Sequence, residues 1–107
     1  MKLNEINYFR GDCWLFAQVL HDLTGFPIFG LYDNNGEVHH AFVLKDKDTA
    51  IDARGYIPVS NIGDGSQVNN AKIGPYELTD TQQNYSDDEY DEAEEEAYLI
   101  LDPRDLI

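Results

Sequence analysis

The chain has 107 residues, of which 42% are hydrophobic and 12% aromatic, and it carries a formal net charge of −14. That length supports one domain with one modest core, and the composition is too apolar for global disorder. The charge argues against direct nucleic-acid binding through a basic surface, and no apolar run approaches the ~20 residues of a membrane span.

The first element in chain order is a helix. In "RGDCWLFAQVLHDLTG" the residues Cys13, Phe16, Ala17, Leu20 and Leu23 recur at the spacing of one apolar face. Gly11 and Asp12 are suited to cap its start, and Gly25 followed by Pro27 signals its end. His21, beside Asp22 within this helix, is expected to be solvated. Two strand-like runs follow, "FPIFGLYD" and "EVHHAFVLKD", joined by Asn34-Asn35-Gly36, the composition of a hairpin turn. After a second turn, "KDKDT", the run "AIDARGYIPV" reads as one short strand. Helix followed by antiparallel-capable strands predicts an α+β fold, an N-terminal helix on a small antiparallel sheet.

Residues 60–85 are rich in Gly, Asn and Ser and read as a loop-rich segment. Residues 86–103 read as an acidic helix: Ser86 and Glu89 have the spacing of a capping box, and Tyr90, Ala93, Ala97 and Leu101 form a thin apolar stripe ended by Pro103. The run "AYLIL" fits either the end of this helix or an added strand. Charge separates along the chain in the same way. Residues 1–72 hold nine acids and six bases, whereas residues 73–107 hold twelve acids and one base. The acidic third repels nucleic acid and favours a basic partner.

Cys13 is the only cysteine, so no intrachain disulfide forms, and the N-terminal "MKLNEINYFRGD" has no apolar signal core. The expected setting is cytoplasmic. Helix amides and the macrodipole favour a thiolate at the first turn. A nucleophilic thiol also needs a base, and the base needs a group to hold its tautomer. His39 and His40 lie on a strand that can pack against the helix, and Asp52 lies twelve residues beyond His40. Alternation groups Val38, His40, Phe42 and Leu44 against His39, Ala41 and Val43. The first set is bulkier and is expected to face the helix, which selects His40 as the base. Arg54 is expected to pair with a carboxylate within the fold. A structural zinc site wants four closely spaced ligands, so neither a metal nor another cofactor is expected.

The frame Asn7, Gly11, Cys13, Trp14, Phe16, Ala17 resembles that of papain-like cysteine hydrolases, in which a glutamine, a glycine and Cys-Trp-x-Phe-[Ser/Ala] open a helix. Those enzymes then present a His-Ala pair, as at His40-Ala41, and an Asn or Asp on a following strand, as at Asp52. The resemblance implies a catalytic core over residues 1–59 in a single domain of 1–107. It implies Cys13 as nucleophile, His40 as general base and acid, and Asp52 as the orienting residue. The Cys13 amide and the Asn7 side chain would form the oxyanion hole, with Trp14 and His39 beside the substrate. Asn7 stands where the family has Gln, and the long segment that builds a second cleft wall in papain-like peptidases is missing. The short form is more similar to compact papain-fold toxins and effectors, which implies an exposed amide of a partner protein as substrate. An acidic binding or inhibitor protein, mimicking a phosphate backbone, is the alternative expectation.

Overall fold

The computed structural model describes residues 13–62 and 71–107. Helix α1 (Cys13–Thr24) leads into strands β1 (Ile28–Tyr32), β2 (Val38–Leu44), β3 (Thr49–Asp52) and β4 (Gly55–Pro58). A 3-10 turn over Val59–Asn61, strand β5 (Lys72–Pro75), helix α2 (Asp87–Ile100) and a second 3-10 turn over Pro103–Asp105 complete the described chain. Among the described residues the strands form one five-stranded antiparallel sheet in the order β4-β3-β2-β1-β5. The fold is therefore α+β, with one helix before the strands of a small sheet in the chain and one after them. Among the described residues no helix is long and apolar enough to cross a membrane.

Local chemistry accounts for most boundaries. Helix α1 ends where Gly25 adopts φ +77° and its amide bonds to the His21 carbonyl at 2.7 Å. His21, expected to be solvated, is half-buried and donates from Nδ1 to the Phe26 carbonyl at 2.8 Å, fixing the exit from the helix. The expected hairpin turn forms at Asn34-Asn35-Gly36. There Gly36 has φ +80°, and the Asp33 carboxylate accepts the amides of Asn35 and Glu37 at 2.8 and 3.0 Å. Gly11 and Asp12, the expected helix cap, lie outside the described residues.

Two expectations are corrected. The run "AIDARGYIPV" is two strands, because Asp52 pairs with Gly55 around Ala53-Arg54 and Gly55 takes φ +101°, turning the chain back on itself. The segment 60–85 contains β5, which pairs with β1 from Phe29↔Pro75 to Tyr32↔Lys72. Its Lys-Ile-Gly-Pro sequence has little strand character of its own. It is tolerated because β5 is an edge strand, where a proline's missing donor goes unused. The expected capping box of α2 is present in both directions between Ser86 and Glu89. "AYLIL" completes that helix through Ile100, with the Leu101 amide bonded to the Ala97 carbonyl at 3.0 Å.

The sheet is apolar on both faces. On one face Val43 and Ile51 pack with Leu15, Phe16, Val19 and Leu20 of α1, and Ala93, Ala97 and Leu101 of α2 and its cap join the same core. Helix α1 is thus covered by the sheet and by α2, which is why Leu15 and Val19 are buried beyond the expected stripe. Fully burying a residue such as Leu20 is worth ~1.5–3 kcal/mol. On the opposite face Leu31, Phe42, Ala50 and Ile62 form a second core. The expected orientation of β2 is corrected accordingly: Ala41 and Val43 face α1, whereas Phe42 faces away, and so does His40, which stands opposite Leu31 and stacks beside Phe42. Small residues let the helix approach the sheet closely, so the bulkier set takes the other side.

The chain's end is tied back. Ile107 donates its amide to the Leu23 carbonyl at 2.9 Å, and Tyr56 accepts the Asp102 amide at 3.0 Å while donating to Asp105. Lys45 pairs with Asp105 at 3.2 Å and lies 5.5 Å over the Tyr56 ring.

Candidate active site

Position on β2 decides the fate of the two histidines. The register between β1 and β2 shifts by one residue, with Leu31 opposite His40 and Tyr32 opposite Val38, so His39 is the extra residue of a β-bulge. His39 stays exposed at the hairpin end and hydrogen-bonds Asp33 at 2.6 Å. His40 turns inward and stacks beside Phe42 with ring centres 5.9 Å apart. Only 2% of it is exposed.

Asp52, equally buried, reaches across from β3, and its Oδ2 lies 2.8 Å from His40 Nε2. A carboxylate only accepts, so Nε2 carries the proton of this bond; in a neutral ring the lone pair is then on Nδ1, which is itself buried. Arg54 braces the carboxylate: its Nη2 bonds Asp52 Oδ2 at 2.7 Å and the Ile62 carbonyl at 3.0 Å, and its amide bonds Oδ1 at 2.8 Å. Burial pushes the Asp52 carboxyl upward, but hydrogen bonds and charge from His40 and Arg54 outweigh it, and the group is held below the usual aspartate range. The site therefore contains a carboxylate that stays ionised and an imidazole locked in one tautomer.

Cys13 is the first residue of α1 and is buried, packing with Ala17 and Ala41. Ala41 follows His40 on β2, so the helix tip meets the strand one residue from the imidazole. Trp14, Ile28 and Tyr76 surround this small cluster. Trp14 leans on Tyr76 with ring centres 5.7 Å apart, and Tyr32 meets Tyr76 edge-on at 6.3 Å. Gly30, opposite Ala41, permits this packing: a Cβ there would lie 2.6 Å from a Val38 methyl and 3.3 Å from the Tyr76 Cβ.

Compared with protein-family models, with curated proteins and with solved structures, the chain matches none.

The sequence-selected residues thus separate into groups. His40 and Asp52 are joined directly, and Cys13 and Trp14 sit together at the start of α1, against the neighbour of His40. His39 is bound to Asp33 instead, and Asn7 lies outside the described residues. Asp33, Glu37 and His39 bring ligand-type atoms within 4.8 Å of one another at the hairpin end. Asp33 is already committed to His39 and to two turn amides, so internal hydrogen bonds close that cluster. Tyr76 escaped sequence reasoning because it follows the unrecognised strand β5. Its one readable signal was an aromatic directly after the Gly74-Pro75 stop.

Proposed function

We propose that this protein is a small cysteine-dependent amide hydrolase or acyl transferase, in which Cys13, His40 and Asp52 act together on an exposed amide of a partner protein. The observation that carries the reading is the buried His40–Asp52 hydrogen bond, braced by Arg54 and set on the strand against which Cys13 opens α1. An isolated buried cysteine needs no such apparatus, whereas an acyl-transfer site needs a base with its tautomer held.

The chemistry follows from the roles. His40 Nδ1 takes the Cys13 proton, and the sulfur attacks the amide carbonyl. The charge that develops on oxygen meets the backbone amide at the helix start. Collapse breaks the C–N bond as His40 returns the proton to the leaving amine, and a thioester remains. Water, or an amine in a transferase, then attacks with His40 as base, breaking the C–S bond and restoring the thiol. Asp52 stays ionised throughout and stabilises the imidazolium. A reducing, cytoplasmic compartment suits an enzyme that depends on one unoxidised thiol.

The reading requires His40 Nδ1 to reach the sulfur although its neighbour Ala41, and not His40 itself, faces α1, and the test is aimed there. Alkylation of Cys13, followed by intact mass against pH, should show a thiolate below the ordinary cysteine range, about pKa 8.5. His40→Asn should return the profile to that range. A wild-type thiol that reacts no faster than in the unfolded chain would sink the proposal.

The second reading, an acidic docking protein, is favoured by α2, which buries only Ala93 and Ala97 and leaves Asp87, Asp88, Glu89, Asp91, Glu92 and Glu95 exposed. It expects amide substitution of those six residues to abolish function and Cys13→Ala to be harmless. The acyl-transfer reading expects the reverse.

A further inference from the structure

Beside the Cys13 cluster lies a groove of about 430 Å³, lined by Gln18 and His21 of α1, by Pro27 and Ile28, and by Tyr76, Glu77, Leu78 and Gln83. Ile28 and Tyr76 belong to both the groove wall and the shell around the thiol, so the groove adjoins the reacting sulfur. Its volume is within the range of small-ligand sites, and one extended side chain fits it.

The polar lining has one character. Gln18 engages the protein through its amide nitrogen, which donates to Asp22 at 2.9 Å, and Gln83 does the same toward the Leu78 carbonyl at 3.0 Å. Among the described residues, neither side-chain carbonyl oxygen is taken by these bonds. His21 donates from Nδ1 to the Phe26 carbonyl, so Nε2 of the neutral ring is an acceptor. Glu77 adds an exposed carboxylate, and among the described residues no lysine or arginine lines the groove. Two amide carbonyls, an imidazole nitrogen and a carboxylate make a set of acceptors with one negative charge, on a wall that also carries Tyr76 and Leu78. Such a lining suits a ligand that is rich in donors, cationic and attached through an apolar stem. The protein's net charge of −14 supplies a field of the same preference.

We infer that this groove is the side-chain specificity pocket of the Cys13 site and that it takes an arginine or lysine side chain of the substrate. The inference rests on the acyl-transfer reading and adds the substrate class to it. A carboxylate side chain would meet the like charge of Glu77, with only the second N–H of each glutamine amide as a donor, and an aliphatic one would leave the acceptors without partners.

The test uses peptidyl acyloxymethyl ketones that differ only in the side chain next to the electrophile: arginine, lysine, leucine or glutamate. Labelling of Cys13 is followed by intact mass. The arginine or lysine probe should label at least about tenfold faster than the glutamate probe, in proportion to a charge-assisted contact made and a repulsion avoided. Glu77→Gln should cut that advantage by about fivefold, because Glu77 is exposed and screened. In parallel, binding of N-acetylargininamide to Cys13→Ala is read by chemical shifts of the Gln18 and Gln83 amides, independently of catalysis. Labelling with no cationic preference, or a preference untouched by Glu77→Gln with argininamide failing to bind, overturns the pocket and leaves the acyl-transfer reading standing. Argininamide binding to Cys13→Ala while no probe labels the wild type faster than the unfolded chain overturns the acyl-transfer reading, and with it the substrate role given to the groove.

Discussion

Two histidines stand side by side in this sequence and each pairs with an aspartate, yet the pairs differ in kind. His39–Asp33 is 2.6 Å long at the hairpin end, with side chains 42% and 19% exposed, and His40–Asp52 is 2.8 Å long with side chains 3% and 2% exposed. Distance alone does not separate them. Burial does: water and salt screen the first pair, whereas the second has only Arg54 and the protein around it. The first holds a turn; the second holds an imidazole in one tautomer.

The largest test of that contrast is kinetic. At neutral pH, His40→Asn should slow Cys13 alkylation at least about a hundredfold, while His39→Asn leaves the rate within about twofold, since in the proposed acyl-transfer site only the former removes the base. Circular dichroism would verify that both variants fold. Equal effects would erase the distinction.

Next in size is stability. Asp52→Ala strands the buried His40 and Arg54 groups and should cost about 3–5 kcal/mol in urea unfolding, the penalty for removing one partner of a buried pair. Asp33→Asn keeps the turn acceptors, and its urea midpoint should coincide with that of the wild type.

The pH dependence sharpens the comparison further. Because the folded Asp52 carboxyl is held below its unfolded value, its contribution is fully present above the unfolded pKa of about 3.9 and is lost as pH falls through the lower folded value. Acid unfolding below about pH 4 should therefore be shallower in Asp52→Ala than in wild type. Asp33 is lowered too, chiefly by its hydrogen bond from His39, but it is only half-buried and should leave a much smaller mark. The smallest expected effect is ionic: raising salt from about 0.05 to 0.5 M should shift the Asp33 titration by NMR toward its ordinary value and leave that of Asp52 in place.

Much of this arrangement was readable before folding. The helix over Cys13–Thr24, the hairpin turn at Asn34-Asn35-Gly36 and the Ser86/Glu89 box each rest on neighbours within a few residues of one another, where spacing and turn chemistry suffice. The His40–Asp52 pair was legible as a candidate because both belong to adjacent strand-like runs. The facing of β2 was not. Residues 40–43 are all buried, so the polar-apolar alternation that normally marks the inner face of a strand is absent. Strand β5 was likewise hidden, since Lys-Ile-Gly-Pro becomes a strand only by pairing with β1.

The sequence by itself determined the two helices, the hairpin turn, the capping box of α2 and the residue types from which a thiol site can be built, because those follow from contacts a few positions apart. Only the tertiary structure decided which histidine goes inward, which residues of β2 meet α1, and that Gln18, His21, Glu77 and Gln83 share one groove. Those outcomes depend on a one-residue bulge and on the close packing of small side chains between helix and sheet, and neither leaves a periodic trace in the chain.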